Sequence, residues 1–391
     1  MEFSPYAYEF HEDPYPIYRR LREEAPVYHN AEDNFYALSR HADVLAGFKN
    51  STDLSNRHGV SPDPSARGEM ARFGTSFLGM DPPEHTAFRG LVSKTFTPRR
   101  VAGMEPSVRA LATEYLDALE SRSGFDMIDD FAGKLPMDVI SEMLGVPRAD
   151  RAELRRLADL LVHREQGMKD VPPEGMEAFG ELRAYFEHHV RKLREHPGED
   201  LLSGLIALAR ENPILTDDQL LSFCNLFIVA GNETTTKLLG NMVYWLDRNP
   251  GERRKVTGDP ARIKDWVEET LRYDNSTQLL MRLVENDFAA AGSTIPAGEY
   301  VALLVGAANR DPAVFEDPDR YDLDRDTSAT LAFGKGTHFC LGAALARLEG
   351  LVAIEEFWKR FPNYAVDTTG IERVHSVNVR GFAHLPLTTG R

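Results

Sequence analysis

Apolar residues recur every three or four positions through most of the stretch from about residue 84 to 270, as in VRALATEYLDALE and MEAFGELRAYFEHHVRKLREH. This spacing places apolar side chains along one face of a helix. Residues 26–39 instead contain two short apolar runs separated by polar residues, a pattern that predicts a hairpin. Strands are also predicted within 282–305, where IPAG forms a turn, and within 373–388. The pattern therefore predicts a mainly α protein with small β-sheets.

The longest predicted helix covers residues 217–249. Thr216 followed by Gln219 fits a capping box at its start, and Asn249-Pro250 ends the run. Such a helix spans roughly 50 Å, enough to cross a whole domain. Its LFIVAG segment is apolar on every face, which favours a fully buried helix, yet NETTT follows at 232–236. Unpaired polar groups are costly to bury, so this segment is either a solvated turn or a functional site.

Length and charge narrow the classes of protein. A chain of 391 residues with 42% hydrophobic content can bury a large core, and no break in the pattern is long enough for a clear linker. We therefore expect a single domain, 1–391. The formal net charge of −16 disfavours nucleic acid, which binds basic faces. The start MEFSPYAYEF has no secretory signal and no run of about 18 apolar residues occurs, so we expect a cytoplasmic protein without a membrane segment.

The stretch FGKGTHFCLG, residues 333–342, holds one of only two cysteines. The residues after Cys340, LGAALARLEGLVAIEEFWKRF, predict a good helix, so the cysteine lies at a helix N-terminus. The helix dipole and the free backbone N–H groups there stabilise a thiolate. The glycines allow backbone angles that other residues resist. Cys340 is therefore a candidate metal ligand.

Other interpretations of Cys340 are a small buried apolar residue, which is the commoner role of a single cysteine, or a phosphate loop. The second fails because the glycines do not stand between a strand and a helix in a GxGxxG pattern. A zinc site would need further Cys or His ligands at short spacing, and only His338 is near. Heme supplies four nitrogens itself and asks the protein for one thiolate.

The segment FGKGTHFCLGAALAR resembles the heme-binding signature of cytochrome P450 at every fixed position. Three further stretches agree in the right order. Residues 230–235 (AGNETT) resemble the oxygen-activating segment of the central helix, Glu269-Thr270-Leu271-Arg272 resembles the E-x-x-R motif, and FEDPDRYD at 315–322 resembles the meander. The resemblance covers nearly the whole chain and is closest to the soluble bacterial class. It implies the mainly helical, triangular P450 fold with heme b (iron protoporphyrin IX) bound through Cys340.

The resemblance also assigns residues that hold the cofactor. In the family, the positions of His85, Arg89, Arg282 and His338 contact the heme propionates. His85 and Arg89 stand four residues apart on one predicted helix face, and two bases do not stabilise each other, so an anion between them is expected. The alternative is that these are four ordinary surface bases.

Glu233 and Thr234 match the acid–alcohol pair that delivers protons for oxygen activation in the family, and we expect the Thr234 hydroxyl to bond the Ala230 carbonyl. By resemblance, Glu269 and Arg272 join Arg320 in a buried charged cluster that supports the cysteine loop. Ser276 stands where relatives commonly have proline. That departure concerns the shape of the substrate pocket rather than heme binding.

The function implied is a monooxygenase that hydroxylates a medium-sized apolar substrate, such as a terpenoid, a steroid or a polyketide-like compound, with O₂. Electrons would come from a ferredoxin and its reductase, and the protein would be a monomer. Alternatives are a peroxide-driven peroxygenase and a non-catalytic heme protein that binds ligands. Segment 57–80 is expected to cover the substrate pocket. The expected wall of the pocket is apolar and consists of Val229, Ala230, Leu279, Leu280 and Phe382. Basic residues near the heme-binding segments are expected to dock the ferredoxin: Lys94, Arg99, Arg100, Lys335 and Arg347.

Overall fold

The computed structural model describes residues 2–68, 71–165 and 168–390, with the side chains of residues 72, 73 and 95 outside that description. Helices dominate: α1 Tyr8–Glu12, α2 Tyr15–Glu24, α3 His41–Lys49, α4 Arg72–Thr75, α5 Glu84–Thr95, α6 Pro98–Gly103, α7 Glu105–Asp117, α8 Leu135–Met143, α9 Arg151–Val162, α10 Pro173–Glu195, α11 Leu201–Ala209, α12 Asp217–Arg248, α13 Pro250–Gly258, α14 Ile263–Tyr273, α15 Val305–Ala308 and α16 Ala343–Arg360. The described helices include none with the length and apolar character needed to cross a membrane.

The strands are short: β1 Val27–Asn30, β2 Phe35–Leu38, β3 Leu54–Ser55, β4 Gly124–Asp126, β5 Leu279–Val284, β6 Phe288–Ala290, β7 Ser293–Ile295, β8 Tyr300–Leu304, β9 Ala365–Val366, β10 Glu372–Arg373, β11 Phe382–His384 and β12 Pro386–Thr388. The largest sheet has the order β1-β2-β8-β5-β3. Strands β1 and β2 form the predicted antiparallel hairpin, and β2 pairs parallel with β8. The strands predicted within 282–305 and 373–388 are confirmed.

Helix α12 is the long central helix that the sequence predicts. The Thr216 hydroxyl accepts a hydrogen bond from the backbone N–H of Gln219 at 3.2 Å, so half of the capping box forms. The Gln219 side-chain oxygen has no partner, so the reciprocal half does not. Most of α12 is buried from Leu220 to Leu246, and it packs against α8, α9, α10, α14 and α16. Its middle therefore lies at the centre of the molecule.

A buried ion-pair cluster joins α14 to the meander. Arg272 is fully buried and donates two hydrogen bonds to the Glu269 carboxylate at 2.7 and 2.8 Å. The base that approaches Glu269 is Arg325, which lies three residues after the meander, at 3.5 Å and with a side chain only 9% exposed. The expectation for Arg320 is wrong. The Arg320 side chain is 62% exposed and points to solvent. Only the Arg320 backbone carbonyl faces the cluster, where it accepts a hydrogen bond from Arg272 at 3.2 Å.

A second buried cluster forms around Asp274, directly after α14. Its carboxylate accepts hydrogen bonds from the Tyr15 hydroxyl at 2.6 Å, from the Trp245 indole at 2.8 Å and from Arg380 at 2.8 Å. Burial alone would raise the pKa of Asp274. The charges of Arg380 and Arg373 lower the pKa by more than burial raises it, so the net pKa is below the ordinary value. Asp274 therefore remains charged inside the protein and holds the N-terminal, central and C-terminal parts of the chain together.

Candidate functional site

A deep cavity lies between the middle of α12 and the loop before α16. It holds about 1450 Å³ of space free of protein atoms, part of it open to solvent. Apolar side chains form much of its wall, among them Phe77, Phe96, Leu226, Phe227, Leu280 and Val305. Cys340 and Thr234 also line it, so the two motifs with the strongest chemical signal meet at one place.

The loop before α16 presents Cys340 to this cavity. Gly334 and Gly336 have φ angles of +65° and +72°, the left-handed region that glycine adopts without strain. A Cβ atom on Gly336 would lie 2.7 Å from the backbone oxygen of Phe48, so only glycine fits there. The Cys340 N–H donates to the Phe333 carbonyl at 2.9 Å and fixes the cysteine at the end of the loop.

The Cys340 sulfur opens onto the cavity although the surrounding protein is dense. Burial raises the pKa of the thiol, while the backbone N–H groups of Gly342 and Ala343 and the charges of Arg89 and Arg347 lower it. The net pKa is above the ordinary value. The helix N-terminus therefore lowers the pKa of the Cys340 thiol, as predicted, but the protein groups alone do not keep Cys340 in the thiolate form. A metal ion bound to the sulfur would do so, because coordination deprotonates a thiol outright.

Two histidines line up beside the cysteine loop. The rings of His85 on α5 and His338 lie with centroids 4.1 Å apart, and none of their four ring nitrogens has a hydrogen-bond partner. Burial and the nearby charge of Arg89 lower the pKa of His85 to about 4. Burial, His85 and two arginines lower the pKa of His338 to about 2. Unpartnered buried ring nitrogens are unusual, and an anion at this point would accept hydrogen bonds from the ring N–H groups.

Two arginines complete the basic group. Arg282 on β5 is 3% exposed and donates to the Met281 carbonyl at 2.7 Å, and burial lowers its pKa to about 10. Arg89 on α5 donates to the Phe339 carbonyl. Among the described residues neither arginine forms an ion pair with a carboxylate. Buried cations are normally paired, so four converging bases without a counter-ion fit a ligand that carries negative charge.

Heme b fits this set of donors. It offers one iron position for a thiolate, which Cys340 can supply, and two propionates, which the four bases can neutralise. The structure thus brings together His85, Arg89, Arg282, His338 and Cys340, as the sequence predicts. The interpretation of the four bases as ordinary surface residues does not agree with the burial of His85 and Arg282.

The middle of α12 carries the other predicted residues. The Thr234 hydroxyl donates to the Ala230 carbonyl at 2.8 Å, which confirms the expected contact. Thr234 faces the cavity, whereas Glu233 is 2% exposed and faces away from it. The Glu233 carboxylate lies 3.4 Å from the Lys237 ammonium and accepts a hydrogen bond from the Asn232 amide at 3.3 Å. The acid and the alcohol are therefore neighbours in sequence on different faces of the helix.

Only two of the five predicted pocket residues, Ala230 and Leu280, line the cavity. The prediction for Leu279 is wrong, because it packs in a core cluster with residues of α2 and β2. Successive residues of a strand point to opposite faces, so Leu279 and Leu280 cannot both face the cavity. Phe382 is fully buried against the Tyr244 ring, 4.9 Å away, and Val229 packs against the core. Of the predicted cover, residues 69 and 70 lie outside the described residues, while Phe77 and Leu78 line the cavity.

The structure adds polar residues to the wall that the sequence did not indicate as such: Asn275, Ser276, Thr277 and Glu349. Ser276 was visible as a departure from proline, and its hydroxyl donates to the Thr234 carbonyl at 2.6 Å. Glu349 on α16 is 3% exposed, and burial raises its pKa to about 8. No periodicity or motif distinguishes Glu349 from the other acidic residues of that helix.

Comparison with known proteins identifies the family. The family model for Cytochrome P450 matches residues 263–376. The "Putative cytochrome P450 123" of Mycobacterium tuberculosis is 53% identical over 386 residues, which cover 98% of this chain and 96% of that protein. The chain belongs to the cytochrome P450 family. The "Vitamin D(3) 25-hydroxylase" of Pseudonocardia autotrophica is 36% identical to this cytochrome P450 over 97% of the chain and 95% of that protein.

A solved structure confirms the fold of this cytochrome P450. CYP109E1 from Bacillus megaterium, crystallised in complex with testosterone, superposes with a TM-score of 0.91 at 31% identity, over 98% of this chain and 99% of that chain. The protein is thus a mainly α cytochrome P450 with small β-sheets. It is a cytochrome P450 monooxygenase and its cofactor is heme b.

Proposed function

We propose that this cytochrome P450 hydroxylates a medium-sized lipophilic substrate at an unactivated carbon, and that a ferredoxin with its reductase supplies the electrons. The observation that carries the substrate class is the apolar cavity, to which both Cys340 and Thr234 are exposed. The substrate would be a terpenoid, a steroid or a polyketide-like compound. The relative named as a vitamin D(3) hydroxylase and the neighbour in complex with testosterone support this class.

The positions of the chain's own residues support the roles proposed for them here. Cys340 binds the iron, and His85, Arg89, Arg282 and His338 bind the propionates. Heme b, when bound through a thiolate, supplies the activation of O₂. Thr234 holds a hydroxyl proton at the cavity, because its hydrogen bond to Ala230 fixes the orientation of the side chain. Glu233, adjacent in the chain but on the face of α12 away from the cavity, is its acid partner in proton delivery.

The wall of the cavity selects for apolar ligands. Burial of apolar surface contributes about 25 cal/mol per Å², so a sugar or an amino acid gains little from contact with Ala230, Leu280 and Phe227. The polar side chains of Asn275 and Thr277 can orient a substrate hydroxyl or carbonyl. Substrate position therefore depends on a few hydrogen bonds in an otherwise apolar chamber.

The proposed electron donor docks near the cysteine loop. Lys94, Arg99 and Arg100 are exposed and can attract an acidic ferredoxin. Arg347 is the weakest of the predicted docking residues, because it pairs with Glu268 at 2.5 Å and stacks on the Phe333 ring. Salt screens exposed charges over about 10 Å at 0.1 M. The reduction rate should therefore fall as ionic strength rises, and a rate independent of salt would contradict this donor.

A ligand panel tests the substrate class. Purified protein is titrated with steroids, terpenoids, macrolactones and small charged metabolites while the spin state of the heme is followed by absorbance. We expect a low-to-high-spin shift with the lipophilic compounds, and a weaker shift in Leu280→Asn than in Leu280→Met. Oxygen consumption is then measured with an electron donor or with peroxide alone. Turnover with peroxide alone would favour a peroxygenase, and no turnover in either assay would favour a non-catalytic heme protein.

A further inference from the structure

A second cavity opens on the surface beside the end of α5. It lies among α6, α7, α8 and the turn before α11, and it holds about 800 Å³ of space free of protein atoms, part of it open to solvent. Its floor is apolar, and the floor residues are buried or half-buried, among them Phe96, Val101, Met104, Val108, Met143 and Leu201. Methionine side chains adapt to different apolar shapes. A cavity of this size holds a small molecule.

The rim of this second cavity is polar and mainly acidic. Glu142 and Glu199 are exposed and Asp200 is half-buried, whereas Arg100 is the one base among the lining residues that the structure describes. Asp200 is engaged within the fold, because its carboxylate accepts hydrogen bonds from the backbone N–H and the hydroxyl of Ser203 at 2.7 and 2.8 Å. Three carboxylates against one guanidinium leave a net negative rim, which attracts a cation.

Two of the rim acids are accessible to a ligand. The Glu142 carboxylate accepts a hydrogen bond from Ser107 Oγ at 2.8 Å and lies 3.5 Å from Arg151, but its side chain is still 40% exposed. The Glu199 carboxylate forms no hydrogen bond or ion pair with any residue that the structure describes. A positively charged group at the rim therefore finds two carboxylates above an apolar floor.

Phe96 forms a wall between the two cavities. It lines the second cavity and also the cavity that contains Cys340. Its ring packs edge-on against the ring of Phe227, with centroids 6.1 Å apart, and Phe227 lines the Cys340 cavity. Phe96 directly follows α5, the helix that carries two of the heme-binding bases. A ligand that rests on Phe96 therefore contacts the boundary of the active-site cavity without entering it.

We propose that this second cavity binds a small lipophilic cation, with one positively charged nitrogen on an apolar body, as an effector that raises the affinity of the enzyme for its substrate. The apolar body rests on the floor against Phe96, and the nitrogen faces Glu142 and Glu199. Occupancy holds the Phe96 ring against Phe227, so the wall that the substrate meets is already fixed when it binds. By linkage, the substrate raises the affinity for the cation by the same factor. The effector itself is not transformed.

The first test measures binding of the cation to the resting, heme-loaded protein by calorimetry. The probe is hexyltrimethylammonium, whose nitrogen has no lone pair and cannot bind the iron. We expect one cation per protein, with weaker binding of 1-hexanol and the weakest binding of hexanesulfonate. Glu199→Gln should weaken binding of the cation about threefold, the size of an exposed ion pair. Glu195→Gln changes an exposed acid outside the cavity lining and should leave binding unchanged.

A blocking variant places the cation in the second cavity rather than elsewhere. Ser107 lies exposed at the rim, so Ser107→Trp puts a large ring over the cavity without changing the buried core. This variant should lose binding of the cation, whereas Ser107→Ala leaves the cavity open and should retain most of it. Wild-type binding of the cation in Ser107→Trp, or equally strong binding of hexanesulfonate, overturns the site.

The second test measures the effect on the active site. Testosterone is titrated by the spin-state shift of the heme at increasing concentrations of hexyltrimethylammonium. We expect the affinity for testosterone to rise about fivefold, the low end of typical couplings between sites, and then to reach a limit. Phe96→Leu should still bind the cation but lose most of the rise. An affinity that stays constant, or that falls without limit as in direct competition, overturns the effector role. If testosterone gives no spin shift at all, the proposed substrate class fails, whereas the calorimetric result on the cation stands.

Discussion

The hydroxyl of Ser276 donates a hydrogen bond to the main-chain carbonyl of Thr234 at 2.6 Å. Both residues line the cavity, one from the loop after α14 and one from α12. A proline at position 276 has no hydroxyl and could not make this bond. The residue that departs from the common family pattern therefore ties the cavity-lining loop after α14 to the backbone of α12.

Ser276→Ala should weaken the coupling of electron use to product formation. One hydrogen bond contributes about 1 kcal/mol, which corresponds to roughly a fivefold change in the ratio of product to peroxide. Ser276→Thr keeps the hydroxyl and should retain coupling. The measurement is product and peroxide formed per electron pair consumed. Equal coupling in Ser276→Ala and the wild type would show that the bond does not position Thr234.

Cys340→Ala should abolish the red-shifted Soret band that the reduced, carbon-monoxide-bound protein shows when a thiolate binds the iron. Cys224→Ala is the matched control, because Cys224 is fully buried in α12 and burial raises its pKa well out of reach of a thiolate role. That variant should keep the band. Absorbance of the purified, reduced proteins under carbon monoxide decides the assignment. Retention of the band in Cys340→Ala would mean that another residue is the ligand.

Thr234→Ala removes the hydroxyl that is fixed on the Ala230 carbonyl. Without it, proton delivery at the cavity loses its last donor, so the variant should consume electrons but release mainly peroxide. Thr234→Ser, which keeps a hydroxyl, should recover most of the product. Peroxide and product are measured together under saturating substrate. If Thr234→Ala stays as coupled as the wild type, this relay is falsified.

Arg325→Ala and Arg320→Ala separate the roles of two arginines, one within the meander (Arg320) and one just after it (Arg325). Arg325 lies against the buried Glu269 carboxylate, and breaking a buried ionic cluster costs about 3 kcal/mol. Arg320 is mostly exposed, and a surface change of this kind costs less than ~0.5 kcal/mol. We expect Arg325→Ala to lower the free energy of unfolding and the heme content, and Arg320→Ala to change neither. Chemical denaturation and heme quantification provide the comparison, and equal effects would contradict the cluster.

Glu349 gives the protein a pH-dependent stability. Burial raises its pKa from 4.5 to about 8, so the folded state keeps a proton that the unfolded state loses. The contribution of Glu349 is therefore favourable below pH 4.5 and is lost as pH rises from 4.5 through 8. Glu349→Gln stays neutral and should gain stability relative to the wild type as pH rises. Melting temperatures of the variant and the wild type over this pH range test it, and equal slopes would contradict it.

Contacts between residues close in the chain could be predicted from the sequence, whereas contacts between distant segments could not. The capping of α12 by Thr216 and the contact of Thr234 with Ala230 involve residues three or four apart, and both were predictable. The alternation of side chains along β5 predicts that only one of Leu279 and Leu280 faces the cavity. Which of the two does so depends on the elements packed against each face of the sheet, and the sequence of the strand does not show this. The choice of Arg325 over Arg320 lies in an irregular loop, where no period constrains side-chain direction.

The Asp274 cluster has a consequence for how the protein is made. Residue 274 leaves the ribosome well before Arg380, the group that lowers the pKa of Asp274 more than any other. Until that late segment is synthesised, closing the core around Asp274 would strand a carboxylate in an apolar interior, which is strongly unfavourable. The N-terminal helix that carries Tyr15 must wait as well, because its hydroxyl bonds the same carboxylate. We therefore expect the core around Asp274 to close only after the tail has been synthesised, and the nascent chain to stay open, or be held by a chaperone, until then.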